Sequence, residues 1–239
     1  MAGIRETARA EHMAAIQRLA RVQVEQHGAA DLSLRAIARE MGMVSSAVYR
    51  YVASRDELLT MLIIESYEHL GDALERADAR MRRNDFRGRF RAEAAALRAW
   101  AIEHPSEWAL LFGTPVPGYA APQDTIGPAS RYTAVLMRLL VDMEAAGHTS
   151  TGHVPAPLRR DYARLRASFP MPRSDALLQC GMSSWAAMMG AISLELFGHL
   201  HNVIATPGAL FDAIVEQCGD QLLAGLPGTA QRRRPSKAV

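Results

Sequence analysis

Apolar residues recur along this chain at the three- and four-residue spacing of amphipathic helices, and no run of β-branched residues alternates strictly. Alanine, leucine, arginine, glutamate and methionine dominate, and these lose little on entering a helix. The pattern predicts an all-α fold. A first long helix runs from about Arg5 to His27 and ends at Gly28, a residue suited to the left-handed position after a helix. Ala15, Leu19 and Val22 mark one of its faces, with Ile16 and Ala20 beside them. Leu34, Ile37, Ala38 and Met41 then form the buried stripe of a short helix that opens at Leu32-Ser33 and stops at Gly42. Val44, Val48, Tyr51 and Val52 repeat the spacing over a second short helix. Helices this short must brace each other. Ser54 reads as the cap of a long fourth helix, about Arg55 to Arg83, with Asp56 and Glu57 in its first turn.

Beyond Asn84 the helices lengthen. They are expected over Phe86 to Glu103, from Pro105 to before Gly113, and over about Thr125 to Ala146 and Ala156 to Ala167. Two more close the chain, roughly Ser174 to Val203 and Pro207 to Leu223. Gly113 to Gln123 is a Pro/Gly-rich loop, Gly147 to Pro155 a polar one, and Phe169 to Pro172 a break.

Composition narrows the class. The 239 residues are 49% hydrophobic and 22% charged, as in a globular protein with a real core. No stretch approaches about eighteen uninterrupted apolar residues, so no membrane partner is expected. The polar N-terminus lacks a signal-peptide core, and Cys180 and Cys218 cannot build a disulfide framework. A reduced, cytoplasmic setting follows as the expectation. The net charge is +2, and 26 of the 27 basic residues are arginine. Without Arg232, Arg233, Arg234 and Lys237 in the tail the net charge becomes −2, so any nucleic-acid claim must rest on local residues.

Local residues supply one. Short helix, glycine turn and short helix between longer helices is the helix-turn-helix arrangement, with the motif at about residues 33–52. Leu34, Ile37, Ala38 and Val48 would fix the crossing angle. The second helix would then offer Ser45, Ser46, Ala47, Tyr49 and Arg50 to a major groove. The wording of Leu32 to Leu58, LSLRAIAREMGMVSSAVYRYVASRDEL, resembles the DNA-binding signature of the TetR family of transcriptional regulators. Ser33, Ile37-Ala38, Gly42 and Tyr49 match it, as do Glu57 and Leu58 near the start of the fourth helix. The resemblance implies that Tyr49 and Arg55 grip phosphates and that Ser33 and Arg35 anchor the second helix. Ser45, Ser46, Ala47 and Arg50 would face the bases. Three departures stand out. Val44 replaces the family's capping serine, Tyr51-Val52 replaces His-Phe, and Arg55 replaces a lysine. Tyr51 keeps a hydrogen-bonding tip but is bulkier, and the resemblance counts it too among the DNA-binding residues. The alternative readings are a plain cap for Ser33, a packing role for Tyr51 and an ordinary exposed face for Tyr49 and Arg50.

A three-helix reader needs about fifty residues, so most of the chain is left for another task. The resemblance implies residues 1–60 as the DNA-binding domain and 61–228 as a larger helical ligand-binding and dimerisation domain, with 229–239 a basic tail. His104 to Thr125 and the later WAAMMGAISLELFGH are similar to an actinobacterial branch of that family, named for a Trp-x-x-x-His-Gly pattern. Trp185 and Gly190 are present, but Met189 stands at the histidine position, so no role of that histidine is carried over. Trp108, Leu111, Phe112, Tyr119, Met137, Trp185, Met188 and Met189 supply adaptable apolar surface for a small apolar effector. Plain core is the simpler reading for any one of them. The apolar last two helices suit a homodimer interface and read equally well as internal core.

An enzyme has little to hold it. No HExxH, Cys-x-x-Cys, GxSxG, Walker loop or GxGxxG occurs, and no two acids pair distinctively. His199 and His201 are two apart and so lie on different helix faces, while His104, His148 and His153 read as solvated loop residues. No catalytic residue, metal or cofactor is expected. The sequence thus points to a homodimeric repressor of double-stranded operator DNA, released by a small apolar effector. The alternatives are an activating or ligand-independent regulator, and a helical enzyme with a vestigial DNA reader.

Overall fold

The computed structural model describes residues 2–224, with side chains from residue 6 onward, so the basic tail lies outside the described residues. Among these residues there are ten α-helices, two 3-10 turns and no strand. In chain order they are α1 (Ala2–His27), α2 (Leu34–Glu40), α3 (Ser45–Val48), α4 (Arg55–Ala79) and α5 (Phe86–Glu103). There follow α6 (Pro105–Phe112), α7 (Ile126–Ala145), α8 (Ala156–Ser168), α9 (Asp175–Leu196) and α10 (Pro207–Leu223). The chain forms two compact units. The first takes the described residues up to Leu70 with Glu103–Arg131, and the second takes Gly71–Ile102 with the described residues from Tyr132 on. A cut at residue 60 falls inside α4, which runs unbroken to Ala79.

The first unit is built on one apolar cluster: Ile16, Ala20 and Val24 of α1, the α2 stripe, Val48, Val52, and Leu58, Leu59, Leu62 and Ile63 of α4. Each large aliphatic side chain buried there contributes about 1.5–3 kcal/mol. The register of α1 differs from the expected face. Ile16, Ala20 and Val24 are buried, whereas Val22 is 40% exposed. Alanines populate every side of α1, so its sequence pattern scarcely distinguishes two adjacent stripes.

The turn between α2 and α3 is set by Gly42 at φ 66°. The Met43 amide donates to Ala38 O at 2.9 Å and the Gly42 amide to Arg39 O at 3.1 Å. These are the two bonds of a Schellman cap, which needs a left-handed residue where Gly42 stands. Two helix ends come earlier than expected. α4 stops at Ala79 rather than Arg83, and α9 stops at Leu196 rather than Val203. Gly198 at φ 78° and Asn202 at φ 60° turn the backbone left-handed beyond α9.

In the second unit α5 buries Phe90, Leu97 and Trp100, and α7 buries Val135, Leu139, Leu140 and Met143. α9 packs on α10 and α8. A Cβ on Gly181 of α9 would collide with the Leu140 side chain, so glycine is what lets α9 come this close to α7. With a mean hydropathy of 1.2, α9 is long and apolar enough to cross a membrane; here it packs against its neighbours. The first unit holds the residues that the sequence nominated for DNA.

Candidate nucleic-acid interface

The interface begins with the anchoring of α2. Ser33 Oγ accepts the Ala36 amide at 3.3 Å, capping the helix, while the Ser33 amide donates to Gln23 Oε1 of α1 at 3.1 Å. Gln23 is 6% exposed, so this is a buried tie between α1 and the first turn of α2. Sequence reading missed it because a lone glutamine in a helix carries no local signal. Arg35 and Arg39 project from α2 into solvent.

α3 is held from beneath. Val48 and Val52 are wholly buried, and Val44, the cap residue, makes no side-chain cap bond. The capping that a serine there would provide, about 1 kcal/mol, is missing. Rotation about this buried edge leaves Ser46, Tyr49 and Arg50 exposed and Ser45 and Ala47 half-buried. Tyr49 is 45% exposed. Small and hydrogen-bonding residues flanked by a tyrosine and free arginines make a surface able to meet base edges and phosphates together.

Two nominated residues are placed differently. Tyr51 turns back toward α1, half-buried, with its ring 5.5 Å from that of His12 and beneath the Arg9 guanidinium at 5.5 Å. Arg55 ties the start of α4 to the segment after α1. Its Nη2 donates to Ala29 O at 2.9 Å and Ala30 O at 3.0 Å, and its Nη1 to Asp56 at 3.3 Å. Ser54 Oγ caps α4 by accepting the Glu57 amide at 3.0 Å, and Glu57 accepts the Ala53 amide at 2.6 Å.

Comparison with known proteins matches this chain to a family. Residues 16–62 match the model for bacterial regulatory proteins of the tetR family, and residues 90–218 match the tetracyclin repressor-like C-terminal domain. Over 220 residues, 88% of this chain and 92% of the relative, it is 44% identical to the HTH-type transcriptional regulator Rv1816 of Mycobacterium tuberculosis H37Rv. The chain belongs to the TetR family. Among solved structures it resembles SCO4313, with 36% identity and a TM-score of 0.73 over 89% of this chain and 97% of that one. A Rhodococcus sp. RHA1 protein of unknown function, 23% identical with a TM-score of 0.65, shares the fold over 90% of this chain and 94% of that one. This TetR-family chain is therefore a transcriptional regulator with a helix-turn-helix DNA-binding domain.

The residues nominated for an effector fall in both units of this regulator. In the first, Trp108 is wholly buried, 4.6 Å from the Phe112 ring, which meets Tyr67 edge-on at 6.1 Å. Leu111 and Tyr119 pack against the apolar cluster of that unit, and the Tyr119 hydroxyl lies 2.9 Å from that of Thr60. In the second unit Met137 and Met188 are buried, and Trp185 and Met189 half-buried. The Trp185 indole N–H is buried without a hydrogen-bond partner.

The second unit also contains a charged core that the sequence did not announce. Arg89, wholly buried, donates to Asp78 at 2.6 Å and Asp142 at 2.7 Å. Glu93, 5% exposed, lies beside them, and burial followed by the charge of Asp78 raises its pKa to about 8 against the pull of Arg89. Two acids do pair distinctively, but through the fold. His148 is a further correction. It is 2% exposed, set edge-on to Phe86 at 4.8 Å, and burial lowers its pKa. A Schellman turn at Gly147 directs it inward, with the His148 amide on Met143 O at 3.0 Å. His104, at the start of α6, is 3.4 Å from Glu107. Among the described residues no group of three His, Cys, Asp or Glu side chains is placed to hold a metal.

Proposed function

We propose that this regulator is a cytoplasmic, homodimeric repressor that reads a palindromic operator with paired copies of α3. A small, largely apolar effector bound by the domain from about residue 61 onward releases it. The observation that carries the DNA face is the outward set Arg35, Ser46, Tyr49 and Arg50 on an element whose other side is fully buried. Tyr49 and Arg35 hold phosphates, while Ser45, Ser46, Ala47 and Arg50 approach base edges. Ser33 acts here by fixing α2, and Tyr51 and Arg55 by fixing neighbouring segments.

Dimerisation through α9 and α10 is supported by an exposed, uncharged stripe on α9. Ser183, Ala186, Ala187, Gly190, Leu194 and Phe197 lie within one helical face, with Leu194 45% and Phe197 43% exposed. Small residues let a second helix approach closely, and the two apolar side chains gain from burial. Each protomer then supplies one half-site reader. The effector acts by favouring the dimer state whose reader spacing no longer fits successive major grooves.

The test is a mobility shift with the DNA upstream of the chain's own gene, repeated with a panel of apolar compounds. A shifted complex that a compound releases, together with light scattering at twice 26.2 kDa, supports the reading. A monomer that shifts no DNA sinks it.

A further inference from the structure

We propose that α1 makes a DNA-backbone contact of its own, through Arg9, and that Tyr51 is the positioning residue that aims it. The inference builds on the docking of α3 described above. Tyr51 directly follows the exposed Tyr49 and Arg50, yet its ring faces α1. Two residues of α1 grip that ring, Arg9 and His12, three apart and therefore on the same side of the helix. His12 is oriented in turn, its Nδ1 2.7 Å from the Ala8 carbonyl. The ring is thereby fixed from both chain segments, and the Arg9 guanidinium lies over its face at 5.5 Å.

Among the described residues Arg9 has no ion pair and no hydrogen bond; the aromatic face is its one polar partner. Stacking restrains the side chain without neutralising it, and leaves the guanidinium edge and its N–H fork free. A charged fork, ordered in advance beside the DNA-reading face, is what a phosphate oxygen rewards with a short charge-assisted bond. The partner is the sugar–phosphate backbone and not a base. Arg9 approaches from outside α3, and phosphate contacts position a reader without reading sequence. The same geometry accounts for an aromatic residue at position 51. A flat ring carries the arginine stack, which valine or leucine there could not do.

The experiment uses the full chain and a duplex that the wild type enriches from a randomised 30-base-pair library. Binding is measured by fluorescence anisotropy across a salt series. Arg9→Ala is expected to weaken binding about tenfold at 0.1 M salt and to flatten the salt dependence by about one unit of slope per protomer. Tyr51→Phe keeps the ring and should bind as wild type. Tyr51→Leu should flatten the slope in the same direction, and Arg9→Ala added to it should cost little more. A purely structural Tyr51 would lower the melting temperature but leave the slope intact. Because Arg9 is exposed, Arg9→Ala folds whatever the fate of Tyr51→Leu. Wild-type affinity and slope in Arg9→Ala would overturn the contact. A wild type that enriches no duplex would overturn the docking of α3, and this contact with it.

Discussion

Arginine does opposite work on the reading face of the first unit and in the packed interior of the second. In the second, several arginines are joined to carboxylates: Arg89 to Asp78 and Asp142, Arg98 to Glu195 at 2.6 Å, and Arg91 and Arg87 to Glu216 at 2.5 and 3.2 Å. Arg80, Arg82, Arg159, Arg160 and Arg173 of that unit have no carboxylate partner among the described residues. In the first, Arg9, Arg35, Arg39 and Arg50 have no carboxylate partner among the described residues. Arg21 with Glu65 and Arg131 with Glu68 show that this unit also pairs arginines elsewhere. A net charge of +2 therefore does not say where the unpaired arginines lie. Binding to a polyanion follows from which cations are left unneutralised, and composition cannot show that.

The comparison breaks most visibly at Arg89. Replacing it with methionine leaves Asp78 buried with Arg83 as its remaining cation, and urea denaturation should show a loss of about 3 kcal/mol. Stability within a few tenths of wild type would mean that the second unit does not depend on its ion pairs. Glu93 sharpens the same point through pH. Between about pH 4.5 and 8 the unfolded chain has released this proton and the folded chain has kept it. Stability therefore falls as pH rises, by up to about 1.4 kcal/mol per unit, and levels off above 8. Glu93→Gln should remove that decline, so its advantage over wild type grows from pH 5 to pH 8. Parallel stability curves for the two proteins across that range would refute the assignment.

In the first unit the expected effects fall on binding. Tyr49→Phe should weaken DNA binding about tenfold or more, for a loss of about 1.5–3 kcal/mol, with melting unchanged and equal losses on variant duplexes. Arg50→Ala should instead relax preference at one or two base pairs, as judged by binding to a set of single substitutions. The smallest effect expected is that of Arg55→Ala, about 1 kcal/mol of stability from its bonds to Ala29 and Ala30, with little change in salt slope. A slope that drops by a full unit would return Arg55 to the phosphate-binding set.

The parts of this molecule legible in its sequence are those governed by neighbours along the chain. Ser33, Gly42 and Ser54 announce caps whose bonds close within five residues, and the α2 stripe is spaced for one face. The helix-turn-helix element was visible for that reason. What escaped reading depends on residues far apart. Tyr51 looks outward or inward according to where α1 places Arg9 and His12. Arg89 and Glu93 count as surface on any hydropathy pattern, yet Asp78, eleven residues before Arg89, makes them core. His148 stands after a glycine, as loop residues do, and only the turn that follows α7 decides that it meets Phe86.

The close passage of α9 over α7 at Gly181 has a consequence for how this chain can change. The space between positions 140 and 181 is filled from one side only, by the Leu140 side chain. Its volume is thus shared property of two residues on different helices. A methyl group added at 181 alone meets a neighbour that is wholly enclosed, and a leucine shortened at 140 alone leaves a hole. Substitution at either position becomes tolerable in the background of the other, so the two behave as a single site with one allowance of volume.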